Sequence, residues 1–208
     1  MRTIVYIDGF NLYYGCLKGT PFRWLDLVRL SEILLPQHEI HMVRYFTARI
    51  SDRGNNAGQQ KRQNTYLSAL SRQDKVVVHL GHYLTHTVKM PIADRSLGLP
   101  VFVDVLKSEE KGSDVNLASY LLLDGFRKKY EQAVVISNDS DLKTPIELVR
   151  KELELPVGVV FPNLDPRRQP SQSLKKVALF VREIRKNALS ESQLPAIVDG
   201  QIHKPTEW

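Results

Sequence analysis

Apolar residues along this chain fall into two kinds of run. Short unbroken runs rich in β-branched and aromatic residues predict strands at Thr3–Ile7 (TIVYI), His41–Ala48 (HMVRYFTA), Lys75–Leu80 (KVVVHL), Ala133–Ser137 (AVVIS) and Val157–Phe161 (VGVVF). Val101–Lys107 (VFVDVLK) alternates apolar and polar side chains, as a half-exposed strand does. Longer patterned stretches predict helices over Leu25–Leu35, Asn56–Arg72, Ser113–Tyr130 and Leu142–Leu153, and a last basic, amphipathic helix over Ser173–Lys186. Gly81–Thr87 is expected to return from the third strand as a hairpin. Strands that alternate with helices need crossover connections, so the prediction is an α/β fold: a three-layer sandwich around a mainly parallel sheet. Residues 1–163 form the expected core. Residues 164–208 follow as a proline-rich loop (Asn163–Gln172), the basic helix and an irregular tail pinned by Trp208, all packed on the same domain.

In an open parallel sheet, ligands sit beyond the carboxyl ends of the strands. Three separate segments deliver acids to that edge. Asp8 directly follows TIVYI, Asp139 and Asp141 follow VVIS within SNDSDL, and Asp114 opens a long helix within KGSD. Each has a plain structural explanation, because Asp, Asn and Ser are favoured helix N-caps. For any single acid capping has about even odds, but one helix needs one cap and NDSD supplies four candidates. Carboxylates converging on one edge raise each other's pKa and weaken the fold unless a cation neutralises them. Oxygen donors without thiolates point to Mg²⁺ or Mn²⁺ rather than zinc.

Composition narrows the field further. The 208 residues carry 29 Lys and Arg against 23 acids, a formal charge of +6 that favours a polyanionic partner. The single cysteine, Cys16, excludes an internal disulfide and a thiolate zinc cluster. No apolar run approaches bilayer length and no signal peptide is recognisable, so the expected location is the cytoplasm. A carboxylate-held Mg²⁺ commonly shares its remaining positions with phosphate oxygens, which makes phosphodiester hydrolysis the natural chemistry.

The segments TIVYIDGFNLYY, EEKGSDVNLASYLLLDGF and AVVISNDSDLKTPIELVR resemble the three signature segments of the NYN domain, a branch of the PIN-like ribonuclease superfamily. The resemblance spans about Arg2 to Phe161 and implies a PIN-like, Rossmann-like fold that hydrolyses single-stranded RNA. Carried over by motif, Asp8, Asp114 and Asp139 would bind the metal, with Asp141 completing the acidic cluster. Asn11 of DGFN would join the catalytic set, and Lys111 would contact a scissile phosphate. Ser137 and Asn138, expected phosphate or RNA contacts, stand where relatives carry Ser or Thr and Gly, so Asn138 departs from the commoner SGDSD form. The ending LPAIVDGQIHKPTEW resembles that of bacterial members, and a homodimer is compatible with the fold.

Other constellations carry less. His79, His82 and His86 lie close together, but strand alternation separates the first two and no HExxH helix is present. Asp104, Glu109 and Glu110 read most simply as surface charges. GxGxxG and GxxxxGK[ST] are absent, and Phe10 stands where an aspartyl-nucleophile phosphatase would need a second acid. Basic candidates for RNA contact are Arg44, Arg49, Arg53, Lys61, Arg62, Arg167 and Arg168, with Tyr13, Tyr14 and Tyr45 as stacking surfaces. The loop SDRGNNAGQQ, flanked by Arg49, Lys61 and Arg62, is placed to close over a strand. The leading expectation is a metal-dependent endoribonuclease. Its rivals are a binding module that keeps the metal site and a nuclease acting on DNA.

Overall fold

The structure is a computed structural model that describes residues 1–50, 58–93 and 101–208. Seven strands form one sheet in the order β4-β3-β2-β1-β5-β6-β7: β1 (Arg2–Asp8), β2 (Glu39–Ala48), β3 (Val76–Pro91), β4 (Phe102–Lys111), β5 (Gln132–Ile136), β6 (Val157–Phe161) and β7 (Val181–Glu183). All neighbours pair in parallel except β3 with β4. The expected α/β sandwich with a mainly parallel sheet is therefore present.

Strands β1 and β5 are buried at nearly every position because both of their faces are covered. Helices α1 (Gly9–Leu12), α2 (Leu27–Leu34), α3 (Gln59–Leu70) and α7 (Lys186–Ser190) pack on one face. There Leu12, Leu30, Tyr66 and Leu189 meet Val5, Ile7 and Tyr45. On the other face α4 (Ser113–Phe126), α5 (Lys143–Glu152) and α6 (Gln172–Val177) bury Leu117, Ile146 and Leu174 against Ile4, Tyr6 and Val135. Among the described residues no helix is long and apolar enough to cross a membrane.

The chain leaves β1 for β2 and β3 on one side and later returns to β5 on the other side. The sheet thus reverses direction between β1 and β5, and such a switch point opens a crevice at the carboxyl edge. Asp8 ends β1, and Ser137 follows β5 there.

Two sequence readings need correction. Residues Gly81–Thr87 do not turn back, since β3 runs straight on to Pro91 and pairs with β4 from His82 to Pro91. Gly81 serves close packing: a Cβ there would lie 2.6 Å from the Lys111 carbonyl oxygen and against the Glu110 carboxylate. The helix expected over Ser173–Lys186 is instead α6, the edge strand β7 and α7. Phe180 breaks it, because its ring fills the space where Gly158 lacks a side chain, and the following residues then pair with β6. In the tail, the Trp208 ring lies 6.3 Å from the Trp24 ring and 5.8 Å from the Tyr66 ring. The tail also contains a small two-stranded ladder, β8 (Ile197–Val198) with β9 (Ile202–His203).

Candidate active site

Asp8 is 3% exposed, and its carboxylate is held from three directions. Oδ1 accepts the Asn11 backbone N–H at 2.9 Å, while Oδ2 accepts the Asn11 amide at 2.6 Å and the Ser137 hydroxyl at 2.8 Å. The acid caps α1 and is orientated by it. Burial pushes its pKa up, the three hydrogen bonds pull it back, and the Asp139 carboxylate adds a further upward push. Ser137, expected at the phosphate, is fully buried and donates to Asp8. It acts by positioning the acid. Its oxygen also accepts the Asp139 N–H at 3.0 Å, which ties the two strand ends together.

Asp139 caps a short 3-10 turn over Ser140–Leu142 by accepting the Asp141 N–H at 2.9 Å. Capping and site placement therefore coincide at Asp8 and Asp139. Asp114 has no such duty. Helix α4 is capped from upstream by Glu110, which accepts the Ser113 N–H at 3.1 Å and its hydroxyl at 2.7 Å. The turn passes through Gly112 at φ 99°, a left-handed conformation that favours glycine. The Asp114 carboxyl is pushed up to about 6, first by partial burial and then by the charges of Asp8, Asp139, Glu110 and Asp141.

The acids are thus electrostatic neighbours on one edge. Among the described residues no group of three His, Cys, Asp or Glu side chains is placed where it could hold a metal ion. No Lys or Arg pairs with Asp8, Asp114, Asp139 or Asp141 among those residues either. Uncompensated oxygen donors with at least one raised pKa suit a hard divalent cation, and an all-oxygen set suits Mg²⁺ or Mn²⁺.

Asn138, the departure from the commoner glycine, uses its amide to hold the proline-rich loop. It donates to the Gln169 carbonyl at 3.2 Å and accepts the Ser171 N–H at 2.7 Å. Arg168 in that loop donates to Asn11 Oδ1 at 3.0 Å, which also accepts the Asn138 N–H at 3.3 Å. The site therefore holds a guanidinium that the spacing of the motifs does not single out from six other basic candidates.

The remaining basic residues scatter. Arg44 is no RNA contact, being 5% exposed and paired with fully buried Asp124 at 2.6 Å. Arg167 pairs with Asp165 at 2.9 Å. Lys111 stays exposed near the acids but pairs with Glu109 at 3.1 Å. Arg49 and Lys61 are exposed, and Arg62 reaches Glu207 at 3.6 Å. Arg53 and most of its loop lie outside the described residues. His79 is stacked between Phe46 and Tyr120 rather than placed at the acids, and burial lowers its pKa to about 4.

The NYN domain family matches residues 2–182, a span that includes every one of these acids. The chain belongs to the NYN domain family. This NYN protein is also 32% identical to the 6-hydroxy-3-succinoylpyridine 3-monooxygenase HspA of Pseudomonas putida, over all of its own length and 75% of that relative's. Its fold is similar to the crystal structure of a Vibrio parahaemolyticus protein of unknown function, with a TM-score of 0.56 over 93% of this chain and 96% of that one at 18% identity. The NYN fold is of the nuclease type, and its switch-point edge carries the acids described above.

Proposed function

We propose that this NYN protein is a ribonuclease that hydrolyses single-stranded RNA with a divalent metal. The observation that supports it most is the mutual repulsion of Asp8, Asp114, Asp139 and Asp141, which come from three segments to one edge and form no ion pair with Lys or Arg among the described residues. Asp8, Asp114 and Asp139 would hold Mg²⁺ or Mn²⁺, and Asp141 would complete the acidic set. The ion, when bound, neutralises these charges, polarises a phosphoryl group and makes water a stronger nucleophile. Asn11 and Ser137 keep the Asp8 carboxylate in one orientation through hydrogen bonds that need no rearrangement during reaction. Arg168, anchored on Asn11, presents a fixed fork suited to a phosphate oxygen, and Lys111 adds a second positive charge at the α4 turn.

Purified protein assayed on labelled single-stranded RNA with Mg²⁺, Mn²⁺ or EDTA tests this reading. Cleavage is expected with metal and lost in EDTA, and Asp139→Asn is expected to abolish it while the protein stays folded. Cleavage that survives EDTA or that variant unchanged would overturn the mechanism. Metal-dependent RNA binding without cleavage would favour the binding-module rival, and preference for DNA the other.

The whole-length similarity to a pyridine monooxygenase favours a second reading, in which a small aromatic molecule is the substrate. An aromatic-lined cavity beside the acids supports it. Turnover of a hydroxypyridine with a supplied reductant and oxygen, and none of RNA, would select it.

A further inference from the structure

Strands β5, β6 and β7 run parallel to β1, so their carboxyl ends face the same edge of the sheet as Asp8 and Ser137. Beyond the ends of β6 and β7 that edge is hollowed into an open groove with two sections. The first, of about 430 Å³, lies between the proline-rich loop and the residues that follow β7, and Arg168, Arg185 and Lys186 line it. The second, of about 720 Å³, continues beside β7 and α7 and is lined by Lys175, Arg182 and again Arg185. The sections meet at Glu183 and Arg185, which belong to both. Each is larger than the cavity of about 150 Å³ that admits benzene, so a ribose and its phosphate have room in either.

The groove starts at the acids. Arg168 donates to Asn11 Oδ1 at 3.0 Å, and the Asn11 amide donates to Asp8 Oδ2 at 2.6 Å. The loop that walls the first section is tied to the Asp139 turn through Asn138, which bonds Gln169 and Ser171. One guanidinium thus belongs both to the acidic edge and to the groove.

The charge along it has one sign. Five cations face the acids Asp165, Glu183 and Glu191, and Asp165 is already taken by Arg167 at 2.9 Å. Arg185 and Lys186 are exposed and form no ion pair among the described residues. Cations spaced along a groove suit a chain of phosphates, which gives up its counterions to them. Among the described residues no aromatic ring lines the first section, so it offers charge without a stacking surface. Contact there is to the backbone and carries no base preference.

We propose that this groove is the track along which single-stranded RNA leaves the acidic edge. Its phosphates pass from Arg168 to Arg185 and Lys186, then to Arg182 and Lys175. The inference rests on the ribonuclease reading for what is cut, and adds where the uncut flank lies.

The test measures fluorescence anisotropy of a labelled twelve-nucleotide oligouridylate on the full chain in EDTA, where metal-dependent cleavage is stopped, from about 50 to about 200 mM KCl. The double variant Arg185→Gln/Lys186→Gln should bind at least tenfold more weakly at the lowest salt. Its slope of log affinity against log salt should be shallower by about 1.4, at about 0.7 per phosphate contact on a single strand. A charge-matched control, Lys75→Gln/Arg127→Gln, removes two exposed cations next to the amino ends of β3 and β5 and should stay within twofold of wild type. With Mg²⁺ the groove variant should raise KM at least tenfold and keep kcat within twofold, because the lost contacts are equal before and during reaction. RNA binding that depends on Arg185 and Lys186 without any cleavage by wild type would sink the ribonuclease reading and keep the groove. Cleavage by wild type together with unchanged affinity and salt slope in the groove variant would do the reverse. Absence of saturable binding in EDTA, or an equal loss in the control, also overturns the groove.

Discussion

Replacing Asp114 with Asn should make the protein more stable while removing a group its proposed chemistry needs. The folded-state pKa is raised from 3.8 to about 6, so the native protein holds that proton more tightly than the unfolded chain does. Stability from this group is present at low pH, falls as pH rises from about 4 to about 6, and stays reduced above that. A displacement of this size corresponds to at most about 3 kcal/mol, at about 1.4 kcal/mol per tenfold change in acid strength. Asp114 is exposed, and solvent screening cuts this to about 1 kcal/mol. In EDTA at pH 7.5, Asp114→Asn should therefore melt about 2–4 °C above wild type, the scale expected per kcal/mol for a chain of this length. The advantage should shrink to nothing near pH 4. Added Mg²⁺ should raise the wild-type midpoint and leave the variant nearly unmoved, because a ligand bound to the native state stabilises it by linkage. Thermal denaturation followed by circular dichroism across pH, with and without metal, measures all three. A variant no more stable than wild type in EDTA, or an advantage independent of pH, refutes the electrostatic account of the site.

Three further outcomes follow from the packing around it. Arg44→Met strands the fully buried Asp124 carboxylate beside Tyr6 and Lys129, and urea unfolding should show a loss of about 3–5 kcal/mol. Gly15→Ala drives a methyl group into the Pro162 carbonyl, and chemical denaturation should register a cost of about 1–3 kcal/mol. Asn138→Ala removes both amide ties to the proline-rich loop, worth about 1 kcal/mol each, and amide exchange at Ser171 should quicken.

The placement of the acids was legible because it depends on order along the chain. Asp8 and Asp139 end apolar runs that only a doubly covered strand explains, and Asp114 opens a helix after another strand. What supports those acids was not legible. Ser137 reads as a surface phosphate contact in sequence, yet the parallel pairing of β1 with β5 turns its hydroxyl onto Asp8. Arg44 and Arg168 look alike in one dimension. Only the fold sends the first into a buried pair with Asp124, 80 residues away, and the second to Asn11, 157 residues away. The C-terminal helix was misread because Lys and Arg alternate with apolar residues at helical spacing, and the constraint that breaks it, the Phe180 ring over Gly158, is a long-range contact.

Among the described residues, the ribbon formed by β3 and β4 beyond Gly81 has two strands and no further strand on either side, with Leu84, Met90, Val103 and Leu106 exposed. A two-stranded ladder is only marginally stable in water, so local opening should begin there long before the central strands yield. Lys111 ends that ladder, and Asp114 lies three residues on. One carboxylate of the acidic edge is thus suspended from the least protected segment of the fold, while Asp8 and Asp139 hang from the most protected. Fraying of the ribbon would dismantle the site from one corner with the hydrophobic core intact.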